Sequence, residues 1–152
     1  MVRVFDDVAA FSAAAGEVLG TSDWVTVTQD LVDQFAEATG DRQWIHVDPE
    51  RAASGPFGGT VAHGFLTLAL VPVLMQTIYR IEDLALGVNY GADKVRFPQA
   101  VPVGSRVRAS ATLDRVTPSG PGIQAHIGVV VEIEGAAKPA CVVEAIFILA
   151  GS

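Results

Sequence analysis

The chain has 152 residues, half of them apolar, with 10 Lys and Arg against 17 Asp and Glu and a net charge of −7. That length and apolar content fit one domain with a real core and exclude a disordered chain. The acidic balance lacks the basic footprint of a general nucleic-acid binder, and the single cysteine, Cys141, cannot form an internal disulfide or a cluster of Cys metal ligands.

Asp6 and Asp7 stand where a signal peptide needs its apolar core. The solid apolar run from Phe65 to Met75 is shorter than the roughly 20 residues of a membrane span. The expectation is one soluble, cytoplasmic domain over residues 1–152, with no membrane or nucleic-acid partner.

In chain order, residues 6–20 read as a short helix, with Val8, Phe11 and Ala15 at helical spacing and Gly16 or Gly20 as its end. Residues 24–28 read as a short strand. Thr28 then caps a helix that has Asp30 in its first turn, Leu31, Phe35 and Ala38 as its buried stripe, and Gly40 as its stop. Residues 41–59 are irregular, with one helical turn at 49–54 begun by Pro49. Trp44, Ile45 and Phe57 argue that this long loop is ordered.

Residues 64–79 read as one helix without a polar face, which must be buried on nearly every side, and Pro72 inside it predicts a kink. Beyond Arg80 the period changes to two. Leu84 to Tyr90, Val95 with Phe97, Val107 to Leu113 and Ile127 to Ile133 alternate with small or polar residues, and an apolar run closes the chain from Cys141 to Ala150. These are antiparallel strands with one covered face. The economical fold is α+β: a curved antiparallel sheet wrapped around one long central buried helix. Such a sheet covers the helix on one side only, so a second copy of the chain is expected on the other.

Two segments carry candidate chemistry. Asp41 and His46 lie five residues apart just after the Gly40 helix stop. A carboxylate and an imidazole that share one water can move protons both ways near neutral pH. The bland alternative is a turn-capping Asp41 and an ordinary half-buried His46. In the second segment, Gly58 and Gly59 lead through His63-Gly64 into the apolar helix, whose free N–H groups can hold a developing negative oxygen. The alternative there is a turn needed only for packing. Lys94, Arg96, Arg106, Arg108 and Arg115 put half the basic charge of the chain between positions 94 and 115. They form either a patch for phosphates or a solvated strand face. No two of His46, His63 and His126 have the i, i+4 spacing of a helical metal site, so no metal is expected. His63 reads as structural, His126 has no assigned role, and Cys141 reads as inert core.

Taken together, Gly40-Asp41 with His46, then Ala62-His63-Gly64-Phe65, then Lys94-Val95-Arg96-Phe97-Pro98 with Pro102-Val103-Gly104 resemble the MaoC-like (R)-specific enoyl-CoA hydratases, a hotdog-fold family. The resemblance runs in order from about Trp24 to Leu149. It implies that Asp41 and His46 are the catalytic pair and that the Gly64 N–H binds the thioester oxygen. It also implies syn hydration of a trans-2-enoyl thioester to the (R)-3-hydroxyacyl thioester in fatty-acid metabolism. Lys94, Arg96, Arg106 and Arg108 would then face the phosphates of coenzyme A, which enters with the substrate, on either CoA or acyl carrier protein. No separate cofactor is implied, and a homodimer is. The family usually has Asn and Pro where this chain has Gln43 and Trp44; the Gln43 amide can still help hold the water, while Trp44 forgoes the rigid turn. Some members carry a serine in the helix where Pro72 stands, which predicts a different acyl pocket. Two other readings stay open. One is a hotdog acyl-CoA thioesterase, which an acid on the central helix would favour. The other is a non-catalytic, acyl-binding MaoC-like subunit.

Overall fold

The structure is a computed structural model that describes residues 1–152. The chain order is β1 (Arg3–Asp7), α1 (Val8–Ala13), β2 (Val18–Thr21), β3 (Val25–Thr26), α2 (Gln29–Thr39), α3 (Trp44–Val47), α4 (Pro49–Ala53), α5 (Gly64–Ala69), α6 (Val71–Met75), β4 (Tyr79–Asp83), β5 (Leu86–Arg96), β6 (Arg106–Ser119), β7 (Gly122–Ile133) and β8 (Cys141–Ala150).

The helix expected over 6–20 is confined to α1. The Asp7 carboxylate accepts from Ala10 N at 2.7 Å and caps its start. Gly16, at φ +90°, turns the chain and donates its N–H to Leu113 O at 2.6 Å, so the following residues pair with β6 as strand β2. Cross-chain pairing here outweighs the local helical pattern. A second departure is β1 itself, which pairs parallel with β4 outside the main sheet.

Helix α2 forms as its caps dictate. Thr28 Oγ1 accepts from Leu31 N at 3.1 Å, and Gly40 ends the helix at φ +83°, a conformation a β-carbon would strain. The buried face is turned by one residue from expectation: Val32 and Ala36 are fully buried, Leu31 and Phe35 partly, and Ala38 is exposed.

The long apolar helix is two short ones. Leu70 joins α5 to α6, and Pro72 occupies the first turn of α6, where a missing N–H costs little. Leu66, Val71, Leu74, Met75 and Ile78 pack into the concave face of a sheet ordered β2-β6-β7-β8-β5, with β3 also on β6. That face supplies Val107, Ala109, Ala111 and Leu113 from β6, Ile127, Val129 and Val131 from β7, and Cys141, Val143 and Ala145 from β8, within one cluster of 28 buried residues. Burial holds the Cys141 thiol protonated, pushed up to about 11, and lifts the Tyr79 phenol to about 12.

Burial on nearly every side is not observed for this helical segment. Phe65 is 70% and Val73 47% exposed, on a face that no part of the chain covers. The alternating runs before and after Gly91 join into the single strand β5, which forms the edge of the sheet and has only Val95 partly buried. Lys94 bulges it at φ +52°. No helix is long and apolar enough to cross a membrane.

Candidate functional site

Asp41 leaves the left-handed cap of α2 and is exposed, with its Oδ1 3.5 Å from the Gln43 N–H two residues on. Its neighbour Arg42 turns away to Glu37, with contacts of 2.7 and 3.1 Å. That guanidinium holds the Glu37 carboxyl below its ordinary value and leaves the Asp41 carboxylate with no cation.

His46 lies in α3 and is 93% buried, 7% of its surface remaining exposed. Its Nδ1 is 2.6 Å from the Val61 carbonyl. A carbonyl only accepts, so Nδ1 carries a proton, and in the neutral imidazole Nε2 is the nitrogen with the free lone pair. His63 is buried as well, and its ring stacks on that of His46 at 3.8 Å with planes 22° apart. Its Nε2 donates to the Asp41 carbonyl at 2.9 Å, while its Nδ1 is buried without a partner. His63 therefore joins the two candidate residues, holding one by its backbone and the other by its ring. Phe35 of α2 closes over it, ring centres 4.8 Å apart. From sequence His63 reads only as structural; its stack on His46, 17 residues away, is set by tertiary structure.

The Asp41, His46 and His63 side chains offer donor atoms within 4.8 Å of one another. Two polar atoms at that separation can both reach one water. The spacing also suits a metal, but stacked, near-parallel rings send their in-plane lone pairs side by side and not to a common point.

Gly64 follows His63 as the first residue of α5, so its N–H has no partner within the helix. A β-carbon at Gly64 would meet three ring carbons of Phe97 at 2.8–3.0 Å. The site thus brings Asp41, His46 and Gly64 together, with His63 between them. Gln43 sits at the start of α3, exposed, and its amide bonds none of these groups.

The basic residues separate into two sets. Arg106 pairs with Glu134, and Arg108 with Glu132 at 2.5 Å, across the β6–β7 ladder, and both stack on Trp24. Both guanidinium groups are thus engaged by carboxylates and an indole, while their side chains remain part-exposed. Lys94 and Arg96 have no carboxylate partner and stand at the end of β5 that leads into Phe97. Arg115 contacts Glu144 at 3.8 Å and the buried His126 at 3.0 Å.

A groove of about 430 Å³ runs between α5–α6 and strands β5 and β8, lined by Leu68, Val71, Pro72, Tyr90, Ile146 and Phe147 among others. It begins one helical turn from Gly64 and contains neither Asp41 nor His46.

The MaoC-like domain pattern matches residues 10–133. The chain is 60% identical over 146 residues to 3-hydroxyacyl-thioester dehydratase Z of Mycobacterium tuberculosis, covering 95% of this chain and 97% of that protein. It is 47% identical over 128 residues to nodulation protein N of Rhizobium leguminosarum bv. viciae, covering 82% and 80%. The fold is that of R-hydratase PhaJ1 from Pseudomonas aeruginosa (TM-score 0.74, 21% identity, 91% of this chain and 83% of that one). It is also that of the (R)-hydratase from A. caviae (TM-score 0.70, 23% identity, 86% and 95%). The α+β sheet-around-helix expected from the alternating strands, and the hotdog fold that the resemblance implies, are the architecture observed, and the chain belongs to the MaoC-like dehydratase family.

Proposed function

We propose that this protein is an (R)-specific enoyl-CoA hydratase, adding water reversibly to a trans-2-enoyl thioester to give the (R)-3-hydroxyacyl thioester. The observation that carries the reading is a ring nitrogen of the buried His46 within 4.8 Å of an Asp41 carboxylate oxygen that has no cation, with Nδ1 of the same ring held by the Val61 carbonyl. The name of the Mycobacterium relative, a 3-hydroxyacyl-thioester dehydratase, supports the same chemistry in the reverse direction.

Asp41 and His46 hold one water between them. The pair takes a proton from it as its oxygen bonds to C3, and a proton returns to C2 on the same face. The electron pair of the double bond moves towards the thioester carbonyl, and the Gly64 N–H meets the charge that develops on that oxygen. Gln43 is assigned to the mouth of the site, as a further holder of water. The acyl chain runs from Gly64 along α5 into the groove beside Pro72. Lys94 and Arg96, which among the five basic residues between positions 94 and 115 have no carboxylate partner, meet the carrier phosphates of CoA or of an acyl carrier protein. The chemistry needs no cofactor beyond the thioester carrier. The active form is a homodimer, whose second copy covers Phe65, Val73 and β5. We assign the protein to the cytoplasm and to fatty-acid metabolism, in keeping with its one free, buried cysteine.

Asp41→Asn and His46→Gln are each expected to lower turnover of crotonyl-CoA by about 10²–10⁴-fold with the fold intact. Enone absorbance and free thiol are followed together. Loss of enone without thiol is the hydratase result; thiol release would make the protein a thioesterase, a reading disfavoured by the lack of any acid between Gly64 and Tyr79. Acyl-CoA binding without turnover would make it a non-catalytic subunit.

A further inference from the structure

Gln29 is a half-buried residue at the first position of α2, and both ends of its amide are occupied. Nε2 donates to the His46 carbonyl at 2.7 Å and to Asp33 Oδ1 at 2.9 Å. Oε1 accepts from the buried Thr60 hydroxyl at 2.7 Å. Thr60 is followed by Val61, whose carbonyl receives the His46 Nδ1–H. The bonds close a ring that begins and ends on His46: from its backbone oxygen through Gln29 and Thr60 to the Val61 carbonyl, and back to its imidazole. Two further bonds brace the ring, Val61 N to Ile45 O at 3.0 Å and Val103 N to Thr60 O at 2.9 Å.

A ring of this kind fixes what a single hydrogen bond does not. The Val61 carbonyl sets which imidazole nitrogen is protonated, and the Gln29 bridge sets where that carbonyl stands relative to the backbone that carries the ring. We infer that Gln29 is a positioning residue for the hydration step, holding Nε2 of His46 in the attitude at which it shares a water with Asp41. The inference rests on the reading of His46 given above. Gln29 touches no reacting atom and lines neither the groove nor the carrier path, so its contribution belongs to kcat and not to binding.

Gln29→Met keeps the length of the side chain and removes all three hydrogen bonds. It is expected to lower kcat for crotonyl-CoA by about 10–10²-fold, the scale of a small misplacement of a reacting group, with KM within about twofold. The nitrogen-coupled Nδ1–H signal of His46 should shift or broaden in the same variant. Thr60→Val cuts the ring at its other side and should produce the same kcat-only loss, carrying the test should Gln29→Met fold poorly. Gln29→Met/Thr60→Val should cost no more than the worse single change, because one ring can be opened only once. Wild-type kcat in folded Gln29→Met or Thr60→Val, beside an inactive His46→Gln, overturns the role of Gln29 alone. Wild-type turnover in His46→Gln overturns the catalytic reading and the role of Gln29 with it.

Discussion

At Gly64 a hydrogen atom stands where other residues carry a carbon. Its backbone is not left-handed; what excludes a side chain is Phe97, whose ring would stand 2.8–3.0 Å from a β-carbon. Gly64→Ala must displace either the Phe97 side chain, which is 37% exposed, or the first turn of α5, whose N–H is proposed to meet the thioester oxygen. We expect kcat/KM for crotonyl-CoA to fall by about 10²-fold, with Tm lower by a few degrees, the mark of overpacking by about 1–2 kcal/mol. Gly64→Ala/Phe97→Ala should recover Tm and part of the activity. Steady-state kinetics and thermal melts on the two variants decide it, and full activity in Gly64→Ala would remove Gly64 from the site. Asp41, His46 and Gly64 were legible in the sequence because each lies next to a local signal: a glycine stop, a short spacing, a glycine-led helix start. The protonated nitrogen of His46 was not legible, because a carbonyl 15 residues away selects it. Nor was the partnering of Arg106 and Arg108, which follows from the β6–β7 register that sets Arg108 opposite Glu132.

Among the elements, α3 and α4 answer the question posed by Trp44, which stands where the family usually has proline. The indole is pinned from two sides: the Arg51 guanidinium lies 4.3 Å over its ring, and Gly55 comes so close that a β-carbon would meet it at 2.9 Å. A packed aromatic thus does for this loop what a rigid ring would do by restricting φ. Gly55→Ala is expected to destabilise by about 1–3 kcal/mol, read as a lower Tm and as faster proteolysis between Trp44 and Gly59. Trp44→Leu/Gly55→Ala should regain most of that loss; a Gly55→Ala variant that melts like the wild type would show the contact to be loose. Elements with local caps, such as α2 with Thr28 and Gly40, were readable from sequence. Elements defined by distant partners were not. Val18 and Leu19 looked helical until β6 claimed them, and the kink that Pro72 announces in residues 64–79 proves a full division at Leu70, whose place the 3.6 period does not show.

For the whole molecule, the unsatisfied feature is one side of the hotdog. β5 is an 11-residue edge strand exposed along almost its full length, and seven of the thirteen exposed large hydrophobic residues (Phe65, Val73, Leu84, Leu86, Val88, Tyr90 and Phe97) lie on it, beside it or on the helix it borders. Proteins blunt exposed edges with charge, proline or a cover, and most of this strand has none of these. A second copy pairing edge to edge would satisfy the free N–H and C=O groups of β5 and bury the bare helix face, in an isologous contact. It would also roof the groove between Pro72 and Phe147, which is open in one chain. The wild type should therefore run as a dimer by light scattering. Leu86→Lys/Val88→Lys, at two exposed β5 positions that do not line the groove, sets four like charges in the shared strand pair of the assembly and should run as a monomer. Its Asp41, His46 and Gly64 are untouched, yet kcat/KM should fall most for long acyl chains, whose tails need the roof, and least for crotonyl-CoA. A monomeric wild type, or a double-lysine variant that stays dimeric and fully active, would sink the edge-to-edge arrangement. A monomer that turns over long-chain substrates as well as the wild type does would show instead that one chain completes the groove unaided.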